Sequence, residues 1–177
     1  MPSRAHLDYT YARVVMTRST KLPVLDRRAI HVFALTLFSV IVVQRAWVCD
    51  DAFISLRVVD NFTRGLGFVY NPGERVQGFT NPLWVLLLSG PYAMFREGFW
   101  TAIVVSSIVS ITTASLIVFG LARGRMVGAV AVVALAFTQA FGDFSTGGLE
   151  NPLGHLLIVA FLWLYLAPSS RRHNPTV

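Results

Sequence analysis

The stretch from Trp100 to Ala122 carries no charged side chain, and its only polar ones are Ser and Thr, whose hydroxyls can bond back to their own helix. A segment of that kind can be buried in a large core or can cross a bilayer. Composition favours the bilayer: 54% of the 177 residues are hydrophobic and 14% charged, against roughly a quarter charged in soluble domains. Lipid offers no partner to backbone N–H and C=O groups, so a crossing segment must be a helix of about 20 apolar residues.

Further apolar runs support an all-α polytopic membrane protein with about four transmembrane helices. Spans are expected near 30–47, 100–122, 127–141 and 152–167. The first, Ile30 to Trp47, follows a basic tail and resembles a signal sequence. No small-x-small cleavage site follows before Asp50, however, and the long basic lead favours an anchor that stays. Leu83 to Phe95 is short and contains Gly90 and Pro91, which suits an interfacial or re-entrant segment better than a span.

Charge gives a topology, because Lys and Arg near spans stay preferentially in the cytoplasm. With Leu83 to Phe95 lying along the outer surface, four spans place the basic tail 1–29, Arg123, Arg125, and the polar tail 168–177 with Arg171 and Arg172 on one side. The protein is then a multi-pass cell-membrane protein with both termini cytoplasmic. Seven of the nine acidic residues (Asp50, Asp51, Asp60, Glu74, Glu97, Asp143 and Glu150) fall on the opposite face. Membrane anchoring therefore accounts for the net charge of +6, and no nucleic acid is called for. The single cysteine, Cys49, excludes an internal disulfide and reads as a buried structural thiol.

Residues 48–99 form the long first outer loop, with juxtamembrane helices expected near 52–64 and 82–95. Asp50 or Asp51 is a good N-cap for the first, with Ile54, Val58, Val59 and Phe62 on its apolar face and Arg57, Asp60, Asn61 and Arg64 on its polar one. Gly65 and Gly67 stop it. Phe68 to Tyr70 reads as extended, and Asn71-Pro72-Gly73-Glu74 as a type II turn. Thr80 or Asn81 caps the second helix, with Pro82 in its first turn. Two adjacent carboxylates at a helix start can act as a general base, hold a divalent cation, or complement the helix dipole, and the residues alone leave all three open. Glu74 with Arg75 reads equally as an exposed ion pair, and Glu150 before Asn151-Pro152 as a helix-start carboxylate.

The run Asp50-Asp51-Ala52-Phe53-Ile54-Ser55-Leu56-Arg57, then Gly65 to Trp84 through Asn71-Pro72-Gly73-Glu74-Arg75 and Thr80-Asn81-Pro82-Leu83-Trp84, resembles the first outer loop of bacterial C-type glycosyltransferases, in particular the terminal arabinofuranosyltransferases of mycobacterial cell-wall assembly. Thr146-Gly147-Gly148-Leu149-Glu150-Asn151-Pro152-Leu153 resembles a second outer motif of the same group. The resemblance implies a polyprenyl-phosphate-linked sugar as donor, a glycan acceptor outside the cytoplasmic membrane, and an acidic residue of the first loop as base. Carried over, Asp50 or Asp51 takes the acceptor proton, while Glu74, Arg75, Thr80, Asn81 and Glu150 shape the substrate site. A metal, if one is used, is a divalent cation at Asp50 and Asp51. Members of that group have many more spans. The chain is therefore expected to be truncated or split, needing a second chain for the remaining spans, or to be an inactive remnant.

Two other classes compete. An ion-coupled transporter needs ionisable residues inside its spans, where this sequence has Ser, Thr and Gln139, with His31 and His155 near the ends. A small, non-catalytic assembly or interaction subunit suits the length, with Gly120, Gly128 and Ala131 serving helix contacts, but leaves the Asp-Asp loop unexplained.

Overall fold

The computed structural model describes residues 26–74, 76–124 and 126–166. Arg75, Arg125 and the two tails with Arg171 and Arg172 lie outside the described residues. Among the described residues every element is helical and there is no strand. The helices are α1 (Arg27–Gln44), α2 (Ala52–Thr63), α3 (Pro82–Phe95), α4 (Gly98–Leu116, continued by a π-helical turn Ile117–Leu121), α5 (Val127–Phe137), α6 (Gln139–Phe144) and α7 (Asn151–Leu166).

Local chemistry accounts for most of these boundaries. The Glu97 carboxylate accepts the Trp100 N–H at 2.7 Å and caps α4. Gly65, at φ +81°, ends α2. Pro82 opens α3 at the one helical position where its missing N–H has no cost. One expectation fails: the run 127–141 is not one helix. The chain turns extended at Thr138 (φ −77°, ψ 116°), so α5 stops at Phe137 and α6 restarts at Gln139.

Two helical stretches, Arg27–Gln44 and Gly98–Leu121, are long and apolar enough to cross a membrane; α3, α5 and α7 are apolar but shorter. The long helices alternate in direction. The Arg27 Nη2 donates to the Ala122 carbonyl at 3.1 Å and the Arg123 Nη2 to the Leu166 carbonyl at 3.0 Å, which brings the start of α1 and the ends of α4 and α7 together. At the other end the residues after α1 meet those before α7: Cys49 N–H donates to Gly147 O at 3.0 Å. Arg27 and Arg123 therefore mark one end of the bundle, and Asp50, Asp51, Glu97, Asp143 and Glu150 lie at the other together with Arg45, Arg57, Arg64 and Arg96.

The interior divides into two apolar clusters. Phe38 and Val42 of α1, Ala114 and Val118 of α4, and Val132 and Ala136 of α5 form a bundle core. Leu56, Val58 and Val59 of α2, Trp84, Val85 and Leu88 of α3, and Ala102, Val105 and Val109 of α4 form a second at the acidic end. The buried face of α2 differs from the sequence expectation. Ile54 lies exposed and Asn61 is buried, while Leu56, Val58 and Val59 pack with Trp84, Val85 and Leu88 of α3. Nor is α3 simply a surface helix, since Trp84, Val85 and Leu88 are fully buried.

Candidate functional site

The second outer motif works as a clasp. Ser145, Thr146, Gly147 and Gly148 are buried between the end of α1, α2 and α4. The Trp47 indole N–H donates to the Asp143 carbonyl (2.7 Å) and its backbone N–H to Thr146 Oγ1 (3.4 Å). Ser110 Oγ donates to Ser145 O (3.0 Å), and the buried Trp84 Nε1 to Gly148 O (2.8 Å). Gly148 has φ +83°, and a β-carbon built there would sit 2.7 Å from Ala52 Cβ. Only glycine meets both demands.

The clasp sets Glu150 beside the first motif. Asn81 Nδ2 donates to Glu150 Oε2 at 2.8 Å, and Ser55 Oγ donates to Asn81 Oδ1 at 3.2 Å. An ionised carboxylate only accepts, so the amide nitrogen must face Glu150 and the amide oxygen is left for Ser55. Asn81 is buried, whereas Glu150 is exposed and bonds Asn81 through Oε2.

The other sequence-derived candidates separate. Asp50 and Asp51 are both exposed at the start of α2, and their neighbours Cys49 and Ala52 touch Gly147 and Gly148. Neither serves as the expected cap: Asp51 occupies the N-cap position in helical conformation with no side-chain cap bond. Asn81, likewise at the N-cap of α3, turns its side chain to Glu150 instead. Glu74 sits in the expected turn, with Glu74 N–H donating to Asn71 O (3.2 Å), Gly73 at φ +89°, and its carboxylate accepting from Asn71 Nδ2 (3.1 Å). Thr80 is exposed beside Asn81. Arg75 lies outside the described residues. Cys49 is half-buried rather than buried. Among the described residues no group of three or more His, Cys, Asp or Glu side chains is arranged to hold a metal ion.

The residues that organise the loop are ones the sequence did not flag. Asn61 Nδ2 donates to both the Val69 and Tyr70 carbonyls at 2.9 Å, so this buried amide ties residues 69–70 to α2. They form an irregular stretch rather than an extended one. Asp60 accepts from Tyr92 Oη (2.8 Å) and Arg64 Nε (2.9 Å), which joins α2 to α3. Burial works to raise the Asp60 pKa, but the hydrogen bonds from Tyr92 and Arg64 and the Arg64 and Arg96 charges outweigh it and hold it below the usual carboxylate range. Burial and the bond to Asp60 push Tyr92 up. Asn61 shares the polar face of α2 with Arg57 and Asp60, so nothing local set it apart, and nothing local marked Trp47 or Trp84 as hydrogen-bond donors to the distant motif.

Comparison with known proteins gives two relatives. The chain is 35% identical over 136 residues to a terminal β-(1→2)-arabinofuranosyltransferase of Mycobacterium tuberculosis, covering 68% of this chain and 21% of that protein. It is 33% identical over 131 residues to the protein of the same name from Corynebacterium glutamicum, covering 69% of this chain and 18% of that one. The chain thus resembles terminal arabinofuranosyltransferases while spanning about a fifth of their length. No family model matches it, and no solved structure does.

Proposed function

We propose that this chain is a multi-pass membrane protein whose acidic end carries a glycosyl-transfer site facing away from the cytoplasm. It would transfer a sugar, arabinofuranose by the names of its relatives, from a polyprenyl-phosphate donor to a glycan acceptor. The observation that carries this reading is the Asn81–Glu150 hydrogen bond. It ties the two resembling motifs together at the end of the bundle where Asp50 and Asp51 begin α2.

In the reaction an acceptor hydroxyl oxygen bonds to the anomeric carbon while the bond from that carbon to the phosphate oxygen breaks, leaving polyprenyl phosphate with the electron pair. The hydroxyl proton passes to Asp50 or Asp51, whose exposed carboxylates are not committed to capping. Glu150, oriented by Asn81 and Ser55, receives hydroxyls of the sugar through its remaining oxygen, and Thr80 lies alongside. The membrane reading draws on the two long apolar helices and on Arg27 and Arg123 meeting at the end of the bundle opposite Asp50, Asp51 and Glu150. Four spans follow if α5 with α6 and α7 cross beside α1 and α4, while α2 and α3 lie in the interface.

The test is transfer of labelled sugar from a polyprenyl-phosphate donor in membranes containing the full chain. Loss of transfer in Asp50→Ala or Asp51→Ala, with the protein still inserted, locates the base. No transfer by the unmodified, correctly inserted chain would favour a non-catalytic assembly subunit instead. Sidedness is read separately by labelling single cysteines in a Cys49→Ser background; Glu150→Cys and Arg123→Cys on the same side would sink the topology.

A further inference from the structure

Beside α2, away from the buried Asn81, the loop encloses an open cavity of about 340 Å³ lined by Ile54, Tyr70, Asn71, Glu74, Val76 and Gly78. Tyr70 is fixed within it. Its carbonyl accepts from Asn61 Nδ2 (2.9 Å) and Arg57 Nε (3.3 Å), and the Arg57 guanidinium lies 5.7 Å from its ring centroid. Gly78 passes so close that a β-carbon there would sit 2.8 Å from Tyr70 Cβ, so any side chain at 78 would displace the ring from its place. A few residues along, the turn holds Glu74 through Asn71.

We propose that this cavity is a glycan subsite that takes one furanose unit of the acceptor, distinct from the Asn81–Glu150 pair. The identity of the sugar rests on the glycosyl-transfer reading. The chemistry is that of sugar recognition: a rigid aromatic face for the apolar C–H side of a ring, with a carboxylate and an amide beside it for the hydroxyl edge. The volume lies at the low end of small-molecule sites, which run roughly from 300 to 1,000 Å³, and suits a sugar unit better than a long isoprenoid chain. The open mouth lets a glycan continue outwards. Ile54 lines the cavity while the next residue, Ser55, bonds Asn81, so neighbouring residues of α2 serve this subsite and the Asn81–Glu150 pair.

The experiment is saturation-transfer NMR of methyl arabinofuranoside with the full chain in lipid nanodiscs and no donor. Saturation of the sugar ring protons is expected, with affinity weakened about fivefold or more by Glu74→Gln and by Tyr70→Leu. Glu74 is exposed, so Glu74→Gln keeps the test sharp even where Tyr70→Leu disturbs the loop. No binding by the unmodified chain, or binding lost in Glu150→Gln and kept in Glu74→Gln, would overturn the subsite. Binding is read without donor and so does not depend on transfer: binding here with no transfer in the labelled-sugar assay would sink the transferase reading alone, and transfer insensitive to Glu74→Gln would sink this one alone.

Discussion

Around Trp84 the packed side chains are laced by hydrogen bonds between segments far apart in sequence. Ser55, Asn81 and Glu150 form a chain, and Trp84 holds Gly148 across the clasp. Around Phe38 the hydroxyls serve only their own helices: Ser39 bonds Leu35 O, Thr113 bonds Val109 O and Ser115 bonds Ile111 O. The side chains of the Phe38 cluster are therefore fitted to one another by shape and apolarity, the terms left to helices in lipid. The acidic end is specified by direction, which a ligand-binding constellation needs if its groups are to be held in one geometry.

That contrast can be broken by experiment. Trp84→Ala should have the largest effect, since it empties a fully buried site and orphans the Gly148 carbonyl; about 3–5 kcal/mol is expected for such a truncation. The loss should be confined to the acidic end and appear as proteolytic cleavage in residues 64–80 while the helix content of the bundle persists. Equal loosening of both cores would show that they fold as one unit. Gly148→Ala comes next. Its positive φ and the contact with Ala52 together should cost about 2–3 kcal/mol, read from denaturant unfolding in detergent.

Asn81→Ala leaves Ser55 without its acceptor and Glu150 without its donor, and about 1–3 kcal/mol is expected for the unmet groups. Asn81→Asp should be worse than Asn81→Ala wherever both carboxylates are ionised, because it sets like charges face to face; the order of their unfolding midpoints at neutral pH checks it. The smallest effect belongs to the bundle. Ser39→Ala removes a bond within one helix and should shift stability by less than about 0.5 kcal/mol.

The Asp60–Tyr92 bond sharpens the same comparison through pH. Asp60 titrates lower in the folded protein than in the unfolded chain, so its contribution is present above the ordinary carboxylate range and fades as acid protonates it in the folded state. Tyr92 titrates higher when folded, so its contribution is full below the ordinary tyrosine value of 10.0 and fades as pH rises through the folded one. Protection of the α2–α3 pair from proteolysis should accordingly fall at both extremes in the unmodified chain. In Tyr92→Phe the alkaline loss should be absent.

Much of this protein was legible in the order of its residues. Helical apolar runs, the stop of α2 at Gly65, the Asn71–Glu74 turn and the two motifs all follow from local rules, because a helix stop or a turn needs only neighbours within a few positions. The break at Thr138 was not legible, since Gln139 and Phe141 continue the composition of the run. Local sequence also misassigned Asp51 as a capping side chain and put Asn61 on the outer, polar face of α2. The tertiary structure alone decided that α2 turns Asn61 inward to hold residues 69–70, and that Gly148 fits against Ala52. It also decided that Asn81 spends its amide on Glu150, a partner 69 positions along the chain, rather than on its own helix. Periodicity and capping act over a turn or two of helix, whereas the direction of a buried amide is settled by whichever distant acceptor the packing of α2, α3 and α4 brings within reach.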